Sequence, residues 1–112
     1  MGMTQINSSS IIGKPIRVGN LLVAQFDFPK NMNWDDAKKG CETLGNGWRL
    51  PTKDELNILY QKKEKIGGFK VTFYWSSTEV ASNVAWLQGF GSGVQHGNVK
   101  SEELFVRAVR AF

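Results

Sequence analysis

The sequence has a single cysteine, Cys41, and a single histidine, His96. One cysteine excludes an intrachain disulfide and any metal site built from several thiolates. One histidine leaves a Ser-His-Asp triad or a zinc site without companions in any recognisable spacing. We therefore predict that the protein is not an enzyme and that it has no catalytic residue, no metal site and no cofactor.

Long apolar runs are also missing. No stretch approaches the roughly 20 apolar residues that a membrane-spanning helix needs, and the chain does not open on a charged segment followed by an apolar one, as a secretory signal peptide does. We expect no membrane span and no signal peptide in this sequence. The compartment stays open, since a cell-surface or virion location would require a leader or a larger protein.

Positive charge is modest and unevenly placed. The net charge is +4, from 14 basic and 10 acidic residues. Several lysines cluster around residue 63, at the predicted end of a helix, whereas residues 75–99 include one charged side chain, Glu79. A nucleic-acid interface typically has a stripe of Lys and Arg interleaved with aromatic residues. We therefore predict no nucleic-acid partner.

The length of 112 residues fits one domain. Residues 1–14 show no hydrophobic period and are expected to form a flexible N-terminal lead-in, with the folded domain over residues 15–112. At the start of that domain, strand-like runs on either side of Gly19-Asn20 predict a β-hairpin.

Two helices are predicted next by their capping residues. Asn33 precedes two aspartates and is expected to cap the first helix, which ends at Gly45. Thr52 and Glu55 have the spacing of a capping box and open the second helix. Cys41 falls on the apolar face of the first helix, which favours a small buried residue over a reactive thiol.

The remainder of the chain is β-like. Runs of β-branched and aromatic residues predict strands at 73–75, 84–87, 94–99 and 105–110. The order of hairpin, two helices and meander predicts an α+β domain.

The segment between Trp86 and Leu104 is poor in core-forming residues. Its side chains are small, polar or singly apolar, a mixture that suits contact with a partner. This pattern favours a binding module, although a variable loop without a partner would have the same composition.

Two motifs carry a family resemblance. GWRLPT at residues 47–52 and YWSST at residues 74–78 resemble a bacterial and phage family of C-type-lectin-like domains, best known from the C-terminal domain of a bacterial collagen-like adhesin. The match runs from about Ile16 to the end of the chain. It implies an α+β C-type lectin fold, with two helices and a small, mostly antiparallel twisted sheet.

The closing VRAVRAF at residues 106–112 resembles the variable proteins of diversity-generating retroelements. In such systems, template adenines are copied promiscuously, so that AAY codons become NNY. This resemblance implies a variable ligand-binding face made of residues that NNY can encode, namely Val84, Leu87, Gly89, Gly91, Ser92, Val94, His96, Gly97, Val99, Ser101, Leu104 and Phe105. Residues that NNY cannot encode would be fixed framework, namely Trp86, Gln88, Gln95 and Lys100. Glu102 and Glu103 also depart from the pattern.

Three functions follow from the resemblance. The first is a ligand-binding protein whose variable C-terminal surface recognises a protein or glycan on a target surface. The second is a fixed glycan-binding adhesin domain, and the third is a structural module of a phage tail or cell-surface complex. The Glu-Pro-Asn and Trp-Asn-Asp motifs of calcium-dependent sugar binding are missing from the sequence, so we expect no calcium-dependent sugar binding. The oligomeric state is left open.

Overall fold

The computed structural model describes residues 8–112. Within that range, four helices and six strands follow one another in the order α1 (Ser8–Ile12), β1 (Ile16–Val18), β2 (Leu21–Val23), α2 (Trp34–Glu42), α3 (Lys53–Gln61), α4 (Lys63–Ile66), β3 (Phe73–Ala81), β4 (Val84–Gly89), β5 (Gln95–Val99) and β6 (Val109–Ala111). None of these helices is long and apolar enough to cross a bilayer.

The lead-in expected over residues 1–14 is only partly covered by the structure. Residues 1–7 lie outside the described range. Ser8–Ile12 forms the short helix α1, and Ile11 is buried in the main hydrophobic core. Ile11 and Ile12 also accept backbone hydrogen bonds from the segment after β2. The expectation of a loose lead-in is therefore wrong for α1, because an apolar side chain there has a place in the core.

The predicted hairpin is present. β1 and β2 pair antiparallel, and Gly19 takes the positive φ (59°) that the tight turn requires. The last strand, β6, pairs with the other side of β2. Val109 also exchanges two backbone hydrogen bonds with Arg49, 2.8 and 2.9 Å long. The C-terminal strand thus closes the N-terminal hairpin, where we expected it to continue the C-terminal meander.

The strand expected over residues 105–110 is also shorter than predicted. Phe105 lies parallel to Tyr74 in an isolated bridge, and Leu104 bridges Met32. Regular pairing begins only at Val109. Residues 104–106 therefore bond to β3 and to the segment between β2 and α2 before the chain reaches the hairpin.

The second sheet contains β3, β4 and β5 in that order, all antiparallel. β3 is longer than the predicted 73–75 and changes register beyond Trp75. β4 and β5 agree with the predicted 84–87 and 94–99 within a few residues. In this sheet β5 is an edge strand, which leaves one side of its backbone unpaired.

Both predicted helices begin where their caps indicated. The Asn33 side chain accepts a hydrogen bond from the Asp36 amide (2.9 Å). Thr52 and Glu55 form the complete capping box, and Glu55 also binds Arg49 through both carboxylate oxygens (2.7 and 3.0 Å). The second helix extends, after a break at Lys62, into the short helix α4.

The second sheet is covered on both faces by apolar side chains. Trp75 belongs to the cluster that includes Trp34 of α2, whereas its neighbour Tyr74 belongs to the cluster that includes Leu56 of α3. Successive residues of a strand point to opposite faces. The two neighbouring aromatic residues of the YWSST motif therefore anchor the sheet to both helices.

A fully buried guanidinium joins the separate parts of the fold. The Nε of Arg107 donates to Asp27 (2.7 Å), and its terminal nitrogens donate to the carbonyl oxygens of Ala24 and Gly67. The Tyr74 hydroxyl donates to the other carboxylate oxygen of Asp27 (2.6 Å). This network ties the hairpin, the end of α4, β3 and the C-terminal segment together.

We expect Asp27→Ala to lower the free energy of unfolding by about 3–5 kcal/mol, because the Arg107 charge would stay buried without its counterion. Urea denaturation of the two proteins measures the difference. Glu103→Ala, which removes an exposed carboxylate, serves as the control and should change stability by less than about 0.5 kcal/mol. Equal effects of the two substitutions would show that the ion pair is not a major support of the fold.

Cys41 lies in the core with no exposed surface, as predicted. Burial raises the pKa of its thiol well above the ordinary value, and Glu42 raises this pKa further. The reactive thiolate is therefore scarce in the folded protein.

The raised pKa of the Cys41 thiol contributes stability at neutral pH that is lost as pH rises above the ordinary thiol pKa.

We expect native protein at neutral pH to resist alkylation by iodoacetamide, whereas protein unfolded in urea should be alkylated completely. Mass spectrometry of the alkylated product measures the reaction. Rapid labelling of native protein would contradict the buried position of Cys41.

Candidate functional site

The residues expected to bind a ligand fall into three groups. Seven are exposed and lie on the turn after β4, on β5 or just beyond it. We call them the outer surface, and they are Gly91, Ser92, Val94, His96, Gly97, Val99 and Ser101. Val84, Leu104 and Phe105 are half-buried, and Leu87 and Gly89 are buried.

Leu87 and Gly89 are buried within β4. Leu87 pairs with Trp75 and is 2% exposed. A side chain at Gly89 would meet the rings and methyl groups of Phe73 and Val94, with the nearest atoms at 3.1 and 3.3 Å. Neither residue presents a side chain to a ligand, because Leu87 is packed in the core and Gly89 has no side chain and lies beneath Phe73 and Val94.

Leu104 and Phe105 contribute to the core. Leu104 packs against the cluster that includes Trp34, and Phe105 packs against the Tyr74 ring with centroids 5.6 Å apart. Both residues help to hold the C-terminal segment beside β3.

The exposed positions of β4 and β5 divide between the two faces of the sheet. Val84 and Val99 pair directly, and a Cβ at Gly97 would contact Val84 and Val80. Val80 and Val99 are about half exposed (50% and 43%). One face of the outer surface is therefore an apolar patch of valines.

The other face holds Val94, His96 and Phe73. The rings of His96 and Phe73 meet edge to face, with centroids 6.0 Å apart. Next to Phe73 is a shallow hollow of about 230 Å³, and its lining residues are Val71, Thr72, Phe73, Gly89, Gly91 and Ser92.

Val71, Phe73 and Val80 were missed by the sequence interpretation, which placed every ligand-binding residue between Val84 and Phe105. They are among the exposed large apolar residues of the structure. Strand alternation would have placed Phe73 on the face opposite to the buried Tyr74. It would not have predicted that Phe73 lies next to His96.

A hydrogen-bonded group of amide side chains supports the outer surface from beneath. The buried Gln88 donates to Asn57 of α3 (2.9 Å) and to the carbonyl oxygen of Gly93 (3.1 Å). Gln95 donates to Gln88 (3.1 Å) and to the carbonyl oxygen of Lys53 (2.9 Å). The turn and the start of β5 are thus fixed to α3 by side chains that face away from solvent.

Trp86 and Lys100 are held in a similar way. The Lys53 ammonium lies 3.9 Å from the centre of the half-buried Trp86 ring. Lys100 forms an ion pair with Glu79 (2.5 Å) and lies over the ring of Trp34, 4.0 Å from its centre. The Lys100 pair lowers the pKa of the exposed Glu79 carboxyl. Both side chains therefore support the positions of neighbouring segments.

The outer surface offers groups for non-covalent contacts. His96, on the exposed side of β5, has its Nδ1 3.1 Å from the carbonyl oxygen of Gly97. Among residues 8–112, no group of three or more His, Cys, Asp or Glu side chains is arranged to hold a metal ion. The outer surface instead offers valine methyl groups, one aromatic edge, small residues and backbone.

The architecture is that of the C-type-lectin-like proteins. The structure is similar to that of botrocetin, with a TM-score of 0.68 over 89% of this chain and 98% of that one, at 11% identity. It is also similar to EMS16, an antagonist of the collagen receptor integrin α2β1, with a TM-score of 0.65 over 88% and 97% of the two chains, at 12% identity. At these identities the likeness shows the fold alone.

A second botrocetin structure, of its complex with a mutant A1 domain of von Willebrand factor, is also similar to this one. The TM-score is 0.64 over 89% of this chain and 98% of that one, at 11% identity. That protein therefore binds a protein partner. No curated protein sequence matches the chain.

The family model of the Lcl C-terminal domain matches residues 12–110. The chain belongs to this family, and both the resemblance and the fold inferred from GWRLPT and YWSST are confirmed. Its function class is that of a ligand-binding, lectin-like domain.

The glycines of the turn after β4 provide a test of the outer surface. Gly93 has a φ of 84°, and a Cβ there would lie 2.6 Å from the Tyr60 ring, whereas a Cβ at Gly91 would meet only Val71, which is 85% exposed and can turn away. We expect Gly93→Ala to cost about 1–3 kcal/mol of folding free energy. Gly91→Ala should cost less than about 0.5 kcal/mol.

Thermal and urea unfolding of the two variants measure these costs. A Gly91→Ala variant as unstable as Gly93→Ala would show that position 91 is part of the packed framework.

Proposed function

We propose that this domain recognises a protein or glycan on a target surface through its outer surface, and that a diversity-generating retroelement varies the corresponding codons. The proposal rests on one observation, the agreement between codon accessibility and structural role. Six residues between positions 84 and 105 cannot be encoded by NNY. Four of them have side chains engaged with the rest of the fold, namely Trp86, Gln88, Gln95 and Lys100, whereas Glu102 and Glu103 are exposed and depart from this agreement.

The exposed positions provide the other half of this agreement. All seven residues of the outer surface can be encoded by NNY, and their side chains are not part of the two hydrophobic clusters. Substitution there would change what a partner meets while leaving the supports in place. Leu87, Gly89, Leu104 and Phe105 are exceptions, because NNY can encode them although they are buried or packed against the core, and we assign them to the framework.

We also propose that the domain binds without catalysis. Its thiol, Cys41, is buried in the core, and burial raises the pKa of this group. His96 is exposed on a strand whose neighbouring residues are uncharged. A general acid or base normally has a partner that orients it and shifts its pKa.

A fixed glycan-binding domain is the second candidate, favoured by the hollow next to Phe73. A half-exposed aromatic ring can stack on the apolar face of a sugar, and His96 offers a nearby hydrogen-bonding group. The two functions differ in one respect: a fixed glycan-binding domain would have the same outer-surface residues in every copy of the gene, whereas a diversified domain would not.

The experiment that tests the proposal is deep sequencing of the 3′ end of the gene in its source population, together with a search of the flanking DNA for a near-repeat and a reverse transcriptase. We expect substitutions at the outer-surface codons, with the codons for Trp86, Gln88, Gln95 and Lys100 unchanged. The physical reason is that the framework side chains hold α3, the turn and β5 together.

A uniform sequence without a neighbouring repeat would overturn the retroelement proposal. The fixed glycan-binding domain would then be tested with a glycan array, using Phe73→Ala as the variant expected to lose binding. Substitutions spread equally over framework and surface codons would contradict both the retroelement and the assigned surface.

A further inference from the structure

The backbone of β5 carries an unused set of hydrogen-bonding groups. The Gly89 N–H donates to the carbonyl oxygen of Val94 (2.8 Å), and the Lys100 N–H donates to that of Asn83 (2.9 Å). These two bonds lie at either end of the β4–β5 ladder and fix its alternation. In an antiparallel ladder, every second residue directs its N–H and C=O toward the partner strand.

The intervening residues therefore point their backbone groups away from β4. They are Gln95, Gly97 and Val99, which pair with β4 at the positions without hydrogen bonds. Within the described range, their three N–H groups have no hydrogen-bond partner. The Val99 carbonyl oxygen accepts a bond from Glu102 (3.1 Å), and that of Gly97 lies near the His96 ring.

This edge lacks the usual protection against strand addition. Natural sheets protect their edges with lysine, proline, bulges or a covering element. β5 has neither lysine nor proline, and residues 80–99 contain no charged side chain. Its register with β4 is regular over all five residues. The edge is therefore free of bulges and uncharged, and its three N–H groups are open to a further strand.

We propose that the ligand of this domain docks as an extended peptide segment, adding a strand to the open edge of β5. This inference rests on the proposed function and specifies how the partner is held. A peptide presents carbonyl acceptors at the two-residue spacing, about 7 Å, at which Gln95, Gly97 and Val99 present their N–H donors. A sugar has no such regular row of paired groups.

A second copy of this chain fits the edge less well. Two-fold pairing centred on Gly97 would place Gln95 of each copy opposite Val99 of the other, because an isologous contact repeats each pair. The amide of Gln95 is already bound to Lys53 and Gln88. An apolar side chain would thus lie opposite an amide twice in the interface.

The two faces of the sheet then determine which peptides bind. Alternate side chains of an added strand would lie next to the valine patch (Val80, Val84 and Val99) or next to Phe73 and His96. Backbone hydrogen bonds are the same for every sequence, so they would persist while the surrounding side chains vary. Recognition would combine a constant backbone contribution with a variable side-chain contribution.

The test uses a displayed library of short random peptides selected on the immobilised domain. Each selected peptide is then synthesised in two N-methylated forms, methylated at alternate amides in opposite phases. We expect methylation in one phase to weaken binding by about tenfold or more, and in the other phase by about twofold or less, because only one phase faces β5.

Two matched protein variants test the same contact from the other side. Val99→Pro and Val99→Ala both shorten the apolar side chain, but only the proline removes the outward N–H, and it sits at the end of an edge strand where proline is tolerated. We expect Val99→Pro to bind about tenfold more weakly than Val99→Ala. If Val99→Pro does not fold, the N-methylated peptides and the wild-type domain give the answer alone.

The outcomes separate this inference from the proposed function. Peptides that shift the amide resonances of β5 but are insensitive to the phase of methylation would overturn strand addition and leave the outer surface as the binding site. Peptides that shift only the β1–β2–β6 sheet would overturn both. Failure to select any peptide, or self-association that Val99→Pro abolishes, would also overturn the inference.

Discussion

A guanidinium with no exposed surface cannot remain charged inside a protein unless an anion and hydrogen-bond acceptors surround it. Arg107 meets this requirement only when three separate segments have come together: the segment after the hairpin that holds Ala24 and Asp27, Gly67 at the end of α4, and the stretch before β6 that holds Arg107 itself. The Phe69 ring covers the guanidinium, 4.1 Å from its carbon. The same carboxylate binds the Tyr74 hydroxyl, so the orientation of β3 is linked to this charge as well.

This network includes no side chain of the outer surface at the far end of the second sheet. Gln88 and Gln95 extend this rigidity to the turn and to β5, since they connect the strands to α3 without occupying the exposed side. A surface supported in this manner can change its side chains at little cost in stability. The limit to change lies in glycines such as Gly93, where an added carbon would meet Tyr60 and the backbone requires a positive φ.

Local chemistry made much of this fold predictable from the sequence. The caps at Asn33 and Thr52, the turn at Gly19 and the motif pair are short-range signals, and the structure agrees with each. Contacts between distant segments left no such signal. Asp27 and Arg107 are 80 residues apart, and nothing in the sequence around either one identifies the other. The pairing of β6 with β2 was missed for the same reason, as was the burial of Leu87, because codon accessibility says nothing about which face of a strand a residue occupies.

The order of these parts along the chain has a further consequence. The segment that closes the fold, from Arg107 through β6, follows the outer surface in sequence and is synthesised after it. A stop codon or frameshift within residues 84–105 removes Arg107 and β6 together, so that Asp27 loses its counterion and β2 loses one of its two neighbouring strands. Such truncated chains cannot complete the core, and their exposed apolar surface marks them for chaperones and proteases. The fold can thus be completed only by a chain whose reading frame is intact through its last strand.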